Sequence, residues 1–206
     1  GDAASGRQLG TDKYAMPPKT KTCCGTINRG MAMLGDRLFM VTGDAHLVAL
    51  ESKTGKQIWD SEIAPVAQSY GSTLAPLAVK DKIVVGVAGG EWGIRGLIDA
   101  FDANTGKRAW RFWTVPGKGE PGNESWNGDS WKNGGGPTWM TGTYDPQLNL
   151  IYWGVGNPGP DLSGAVRKGD NLYTCSLVAL DADSGKLKWY FQFTPHDTHD
   201  WDANET

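Results

Sequence analysis

Four short stretches of the chain carry side chains able to do chemistry. In KTCCGTINRG (residues 21–30), Cys23 sits beside Cys24, with Asn28 and Arg29 close behind. Adjacent thiols fit a chance pair, a metal site or a disulfide between neighbours, and the residues alone leave all three open. In TPHDTHDWD (194–202), Asp197, Asp200 and Asp202 are interleaved with His196 and His199. Two His three apart beside Asp would suit zinc, but no second pair of ligands at regular spacing accompanies them. The two His are therefore expected to brace an acidic loop by hydrogen bonding. Between these stretches, Glu91 in GGEWG and Asn157 in GVGNPGP stand in Gly-rich segments, where each alone reads as a loop acid or a turn residue before Pro. Cys175, in the apolar run YTCSLVAL, is expected to be packed rather than reactive.

The elements that must position these groups are short. The chain has 206 residues, enough for one domain with a real core, and a formal net charge of -3 with signs interspersed. That balance is no nucleic-acid footprint and no polybasic membrane patch. No apolar run approaches the ~20 residues of a membrane helix. The 29 Gly and 10 Trp imply many tight turns and a repeated packing device. Helical periodicity is scarce, whereas RLFMVTG, HLVALES, DKIVVGVAGG and LNLIYWGVGNPGP are apolar runs closed by Gly, Asp, Asn or Pro. They read as strands, and the chain as all-β. It starts without Met and stops at DANET, so a processed or truncated chain is expected.

One pattern recurs three times: LVALESKTGKQIW (47–59), LIDAFDANTGKRAW (97–110) and LVALDADSGKLKW (177–189). Each copy has a small Ala, an acid two residues on (Glu51, Asp102, Asp181), a turn Gly (Gly55, Gly106, Gly185) and, four residues later, Trp (Trp59, Trp110, Trp189). This is a β-hairpin whose Gly takes the positive φ and whose return strand carries Trp. A Trp at constant offset packs each copy on its neighbour in the same way, the logic of a propeller blade. The Trp spacings of 51 and 79 residues place a long insertion at roughly residues 113–145. Its four Trp argue against disorder. Residues 1–206 thus read as a portion of one β-propeller domain, about three to four blades, since three copies cannot close a ring.

The repeat, together with CCGTINRG, GSTLAPLAVKDKIVVG, GGEWGIRG, GDSWKNGGGPTW, YDPQLNLIYWGVGNPGP and TPHDTHDWD in order, resembles the pyrroloquinoline-quinone (PQQ) dependent alcohol dehydrogenases, the methanol/ethanol quinoprotein group, from about residue 20 to 206. The resemblance implies an eight-bladed propeller in the periplasm that oxidises a primary alcohol to its aldehyde and passes electrons through PQQ to a cytochrome c. It also implies that Cys23 and Cys24 form a disulfide against the cofactor ring. Such a bridge is strained, because consecutive Cα atoms lie ~3.8 Å apart and disulfides usually span ~4.4–6.8 Å.

The same resemblance assigns the remaining site residues. Trp139 stacks on the second face of the cofactor, and glycines 134–136 let the backbone approach it. Arg29 and Thr73 meet its carboxylates, Arg through its planar fork. Ala88, Gly89 and Gly90 line it, Ala88 replacing a frequent Ser, and Pro137 replaces a Thr. Glu91 and Asn157 are metal ligands, hard oxygen donors suited to Ca²⁺ or a lanthanide. Asp200 is both ligand and general base. Asp202 stands where lanthanide-type members carry Asp. In an extended segment it would point the same way as Asp200, and its added charge favours a trivalent ion. The expected partners are a small alcohol and a cytochrome c; a homodimer belongs to the same set of expectations. Two rival expectations are a non-catalytic propeller for outer-membrane protein assembly, which leaves the joint presence of Cys23, Cys24, Glu91, Asn157 and Asp200 unexplained, and an inactive fragment of the enzyme.

Overall fold

The computed structural model of the protein describes residues 4–8, 10–11, 13–18, 20, 25 and 27–203. Its strands form three four-stranded antiparallel meanders. The first contains β1 (Ala32–Leu34), β2 (Arg37–Val41), β3 (His46–Glu51) and β4 (Gln57–Glu62). The second contains β5 (Leu77–Val79), β6 (Lys82–Gly86), β7 (Leu97–Asp102) and β8 (Arg108–Trp113), and the third β9 (Thr143–Asp145), β10 (Leu150–Val155), β11 (Ser176–Asp181) and β12 (Leu187–Gln192). Among the described residues no helix is long and apolar enough to cross a membrane. The first strands β1, β5 and β9 approach one another, so the sheets radiate from a shared edge as blades do. Strands β3, β7 and β11 lie between sheets and are buried on both faces, which is why their sequences are near-continuous apolar runs.

The repeated hairpin takes the same form in each blade. Ala49, Ala100 and Ala179 are fully buried and sit directly across from Trp59, Trp110 and Trp189, with a bulge one step later in every copy. Each turn closes by a backbone bond from the Gly N–H to the carbonyl of the acid, at 2.8–2.9 Å. The Asp102 carboxylate accepts from Thr105 N–H and Oγ1, and Asp181 does the same with Ser184. The blades are joined by the Trp. Trp59 Nε1 donates to the Ala103 carbonyl of the second blade, and Trp110 Nε1 to the Ala182 carbonyl of the third. Trp110 lies so close over Gly185 that a β-carbon there would stand 2.5 Å from the indole. Glycine is therefore required twice, by that approach and by its φ of +68°. Trp189 is 43 % exposed.

The extra residues are shared between two loops, not concentrated in one. The connection between blades lengthens from 63–76 to 114–142, and the connection between the second and third strands lengthens from 42–45 and 87–96 to 156–175. The expected insertion at 113–145 is thus only part of the length difference. The longer loop is ordered around Trp126, which is buried and donates Nε1 to the Leu172 carbonyl of the other insertion at 2.5 Å.

Alternate connections of a meander emerge on the same face. Segments 63–76, 87–96, 114–142, 156–175 and 193–203 all leave on one face, and the acid–Gly turns occupy the other. Every described residue expected at the cofactor or metal site lies on the long-loop face or on the segment leading into β1.

Candidate functional site

A cavity of about 250 Å³ opens on the long-loop face. Arg29, Thr73, Ala88, Gly89, Gly90, Glu91, Trp139, Asn157, Asp200 and Asp202 all line it, with Ile27, Pro137 and Asp161. Cys23 and Cys24, the remaining expected pair, lie outside the described residues.

Each wall is set by local structure. Arg29 and Thr73 meet: the Arg29 guanidinium donates to Thr73 Oγ1 at 2.7 Å, and the Arg29 N–H to the Thr73 carbonyl at 2.9 Å. That pairing presents a cation beside a hydroxyl, an arrangement suited to a carboxylate. Ala88 bridges back to Gly71, and residues 90–92 form a single 3-10 turn that projects Glu91. Trp139 closes directly on Gly156, where a β-carbon would be 2.2 Å from the ring. The bare backbone thus leaves room for the indole in the cavity wall.

The glycine triplet 134–136 is tied into neighbouring loops. Gly135 pairs with Arg95 on one side and Pro158 on the other, Gly136 N–H donates to the Asn157 carbonyl, and Gly159 N–H donates to Gly134. A β-carbon at Gly135 would collide with the backbone of Asn157, Pro158 and Gly159, and β-carbons at Gly134 and Gly136 would collide with the side chains of Trp126, Val115 and Thr114. The three glycines knit the long insertion to the loop of Asn157 and so fix where that amide stands.

The fourth wall is acidic. Glu91, Asp161, Asp200 and Asp202 face the cavity, and Arg29 is the one cation among its lining residues. Asp161 is pushed up to about 6, first by burial and then by the charges of Asp200 and Glu91. Asp200 is also raised, by burial and then by Asp202 and Glu91. The carboxylates repel one another across the cavity, and a hard cation would relieve that repulsion. The donors, carboxylate oxygens with the Asn157 amide oxygen, suit Ca²⁺ or a lanthanide and exclude the thiolate–imidazole chemistry of zinc or copper. The Trp139 indole and the Arg29–Thr73 pair line the same cavity, a residue set whose chemistry suits a planar, acid-bearing group. Among the described residues, no three His, Cys, Asp or Glu converge tightly enough to hold an ion by themselves.

The segment carrying Asp200 and Asp202 is not extended. Both residues have left-handed backbones, φ +61° and +49°, so alternation along a strand does not explain why both line the cavity. Asp197 does. Its side chain is buried, Oδ1 accepts the His199 N–H at 2.8 Å and Oδ2 the Trp201 N–H at 3.0 Å, curling the chain around one carboxylate. His196 braces the loop as expected, its Nδ1 2.7 Å from the Gly169 carbonyl. His199 does so more weakly, its Nδ1 3.3 Å from Thr198 Oγ1, and also stacks on Trp201. Cys175 is buried, but its neighbours are polar: Sγ lies 3.4 Å from Asn157 Oδ1 and 3.5 Å from Asp197 Oδ2. Burial and the Asp197 charge push its thiol well up, so it stays protonated.

Sequence reasoning missed Asp161, Asp197 and Cys175 as parts of this arrangement. The one available signal was Asp161 following directly on the turn-rich GNPGP.

Residues 61–206 match the family model described as the glucose/ethanol/alcohol dehydrogenase β-propeller domain with PQQ. The chain is 44 % identical to quinohemoprotein alcohol dehydrogenase ADH IIB of Pseudomonas putida, over 99 % of this chain and 32 % of that protein. It is 40 % identical to the lanthanide-dependent methanol dehydrogenase of Methylacidiphilum fumariolicum (strain SolV), over 88 % of this chain and 33 % of that one. Among solved structures, a europium-containing methanol dehydrogenase superposes with a TM-score of 0.83 at 40 % identity, over 87 % of this chain and 34 % of that one. The chain thus spans about a third of the length of the relatives it matches.

Proposed function

The chain belongs to the PQQ β-propeller family of glucose, ethanol and alcohol dehydrogenases, and from that premise we propose that it forms one sector of an enzyme oxidising a primary alcohol to its aldehyde. When bound, PQQ supplies the two-electron acceptor and the neighbouring ion a Lewis acid. Trp139 holds one face of the cofactor, and a Cys23–Cys24 disulfide the other. Arg29 and Thr73 bind its carboxylates, and Ala88, Gly89 and Gly90 close its edge. Glu91, Asn157, Asp200 and Asp202 hold the ion. An Asp200 carboxylate oxygen takes the hydroxyl proton of the alcohol, a task suited to a carboxylate raised above its ordinary range by burial and by Asp202. The electrons leave to a cytochrome c in the periplasm.

The observation that carries this reading is the gathering of ten separately predicted residues, from five loops and the segment before β1, around one cavity. Asp202 in that wall favours a lanthanide over Ca²⁺, because each further negative charge stabilises a trivalent ion more than a divalent one. The test is reconstitution of the full-length metal-free protein with PQQ and either Ca²⁺ or La³⁺, followed by dye-linked alcohol oxidation. Asp200→Asn should lose about 10²–10⁴-fold in kcat with quinone binding retained. Full activity in that variant, or a full-length protein that takes up neither PQQ nor a hard cation, would refute the proposal.

A further inference from the structure

Behind the acidic wall sits a cation that does not line the cavity. Arg167 is fully buried, and among the described residues it forms no ion pair. Its donors go to carbonyls instead. Nε and Nη2 reach the Pro160 carbonyl at 3.1 and 3.0 Å, and Nη2 also reaches the Asp161 carbonyl at 3.3 Å and the Asp197 carbonyl at 2.5 Å. Nη1 donates to Asn171 Oδ1 at 2.8 Å, and Asn171 returns its amide to the Arg167 carbonyl at 2.7 Å. A buried guanidinium without a carboxylate partner is costly, so its retention requires a compensating role.

We propose that Arg167 is the positioning residue that sets the separation of the two acidic loops, 157–161 and 197–202, and through it the cation affinity of the cavity. The inference rests on the metal-site reading above. One guanidinium fork spans both loops, touching the peptide that precedes Asp161 and the peptide of Asp197. Asp197 in turn curls the backbone that carries Asp200 and Asp202. The Cys175 thiol, within reach of both Asn157 and Asp197, links the two loops a second time. Lysine cannot replace this fork, since a single ammonium has no rigid plane to bridge carbonyls on separate segments. The positive charge behind the wall also offsets the mutual repulsion of carboxylates that must stay close before the ion arrives.

The test uses the full-length protein stripped of metal, with terbium alone as the probe. Indole-sensitised terbium luminescence gives the dissociation constant, and urea unfolding of the metal-free form gives stability. Arg167→Lys should bind terbium about ten- to a hundredfold more weakly, the range for lost outer-sphere partners. Asn171→Gly keeps the left-handed backbone (φ +60°) and removes the carbonyl that aligns the fork; it should weaken binding at least about threefold by the same reasoning. Gly35→Ala, remote from the cavity, destabilises without touching the clamp and should leave terbium affinity unchanged. Terbium binding within twofold of wild type in a folded Arg167→Lys protein overturns the proposal. If that variant does not fold, Asn171→Gly decides by the same criterion. No terbium binding by the wild-type protein would instead sink the metal-site reading, and the clamp with it.

Discussion

Gly156→Ala should disable the cavity without unfolding the blade. The φ of Gly156 is not positive, so alanine meets no left-handed backbone penalty there. Its β-carbon, however, would stand 2.2 Å from Trp139. An ordinary carbon–carbon contact is ~3.5 Å, so the indole must retreat by roughly 1.3 Å. The β-carbon itself has little room to shift, because it would also sit 3.1 Å from Pro137. Overpacking of this kind costs about 1–3 kcal/mol in stability. The functional loss should be larger in its own terms, since a displacement of about 1 Å in a positioning group can cost ~10²-fold in rate. The assay is kcat/KM for alcohol oxidation by the full-length enzyme reconstituted with PQQ and metal, beside quenching of indole fluorescence on PQQ titration and urea unfolding of the same preparations. Gly10→Ala, whose β-carbon meets nothing within 4 Å and whose φ is not positive, is the control. A folded Gly156→Ala protein with quinone affinity and kcat/KM within twofold of wild type would refute the assignment of Trp139 as the supporting face.

Three further outcomes are expected. Gly106→Ala and Gly185→Ala share with Gly35→Ala a positive φ of +62 to +70°, costing each about 1 kcal/mol; only the first two drive a β-carbon into an indole, so urea unfolding should show them about 1–3 kcal/mol worse than Gly35→Ala, and equal losses in all three would argue against Trp docking between blades. Asp202→Ala should shift metal preference in competition dialysis from lanthanum toward calcium by about tenfold or more, because one unit charge a few ångströms from the ion acts more strongly on a trivalent than a divalent cation; an unchanged ratio would remove Asp202 from the ligand set. Cys175 should resist iodoacetamide in the native protein and react on unfolding, as its side chain is fully buried; rapid native labelling detected by mass spectrometry would contradict its place between Asn157 and Asp197.

The blade was legible because its signal is redundant: Ala, acid, Gly and Trp at constant offsets, each with a steric reason. Those markers all lie on the third and fourth strands, so extra length between two Trp could not be apportioned between the loop joining blades and the loop inside the next one. That is why 156–175 escaped notice. The cavity residues were legible through short motifs resembling a family, not through pattern. Asp161 follows a Gly- and Pro-rich turn and Arg167 stands beside Lys168 between two glycines, where nothing periodic marks a buried side chain. The backbone of Asp200 and Asp202 misled for a related reason. Nothing in the residue type tells an Asp in a left-handed turn from one in a strand, and the carboxylate that enforces the turn, Asp197, looks identical to its neighbours in the sequence.

The indole-to-glycine contact between blades has a direction: each unit offers a ring forward and a bare turn backward. Stacking more units in a line moves these two mismatched ends apart and never satisfies them. Only curvature does so, by bringing the leading ring around to the trailing turn, and once that happens no unit is first or last. Opening any single joint would then bare one tryptophan and one glycine turn together, so the weakest joint would govern the endurance of the whole circle.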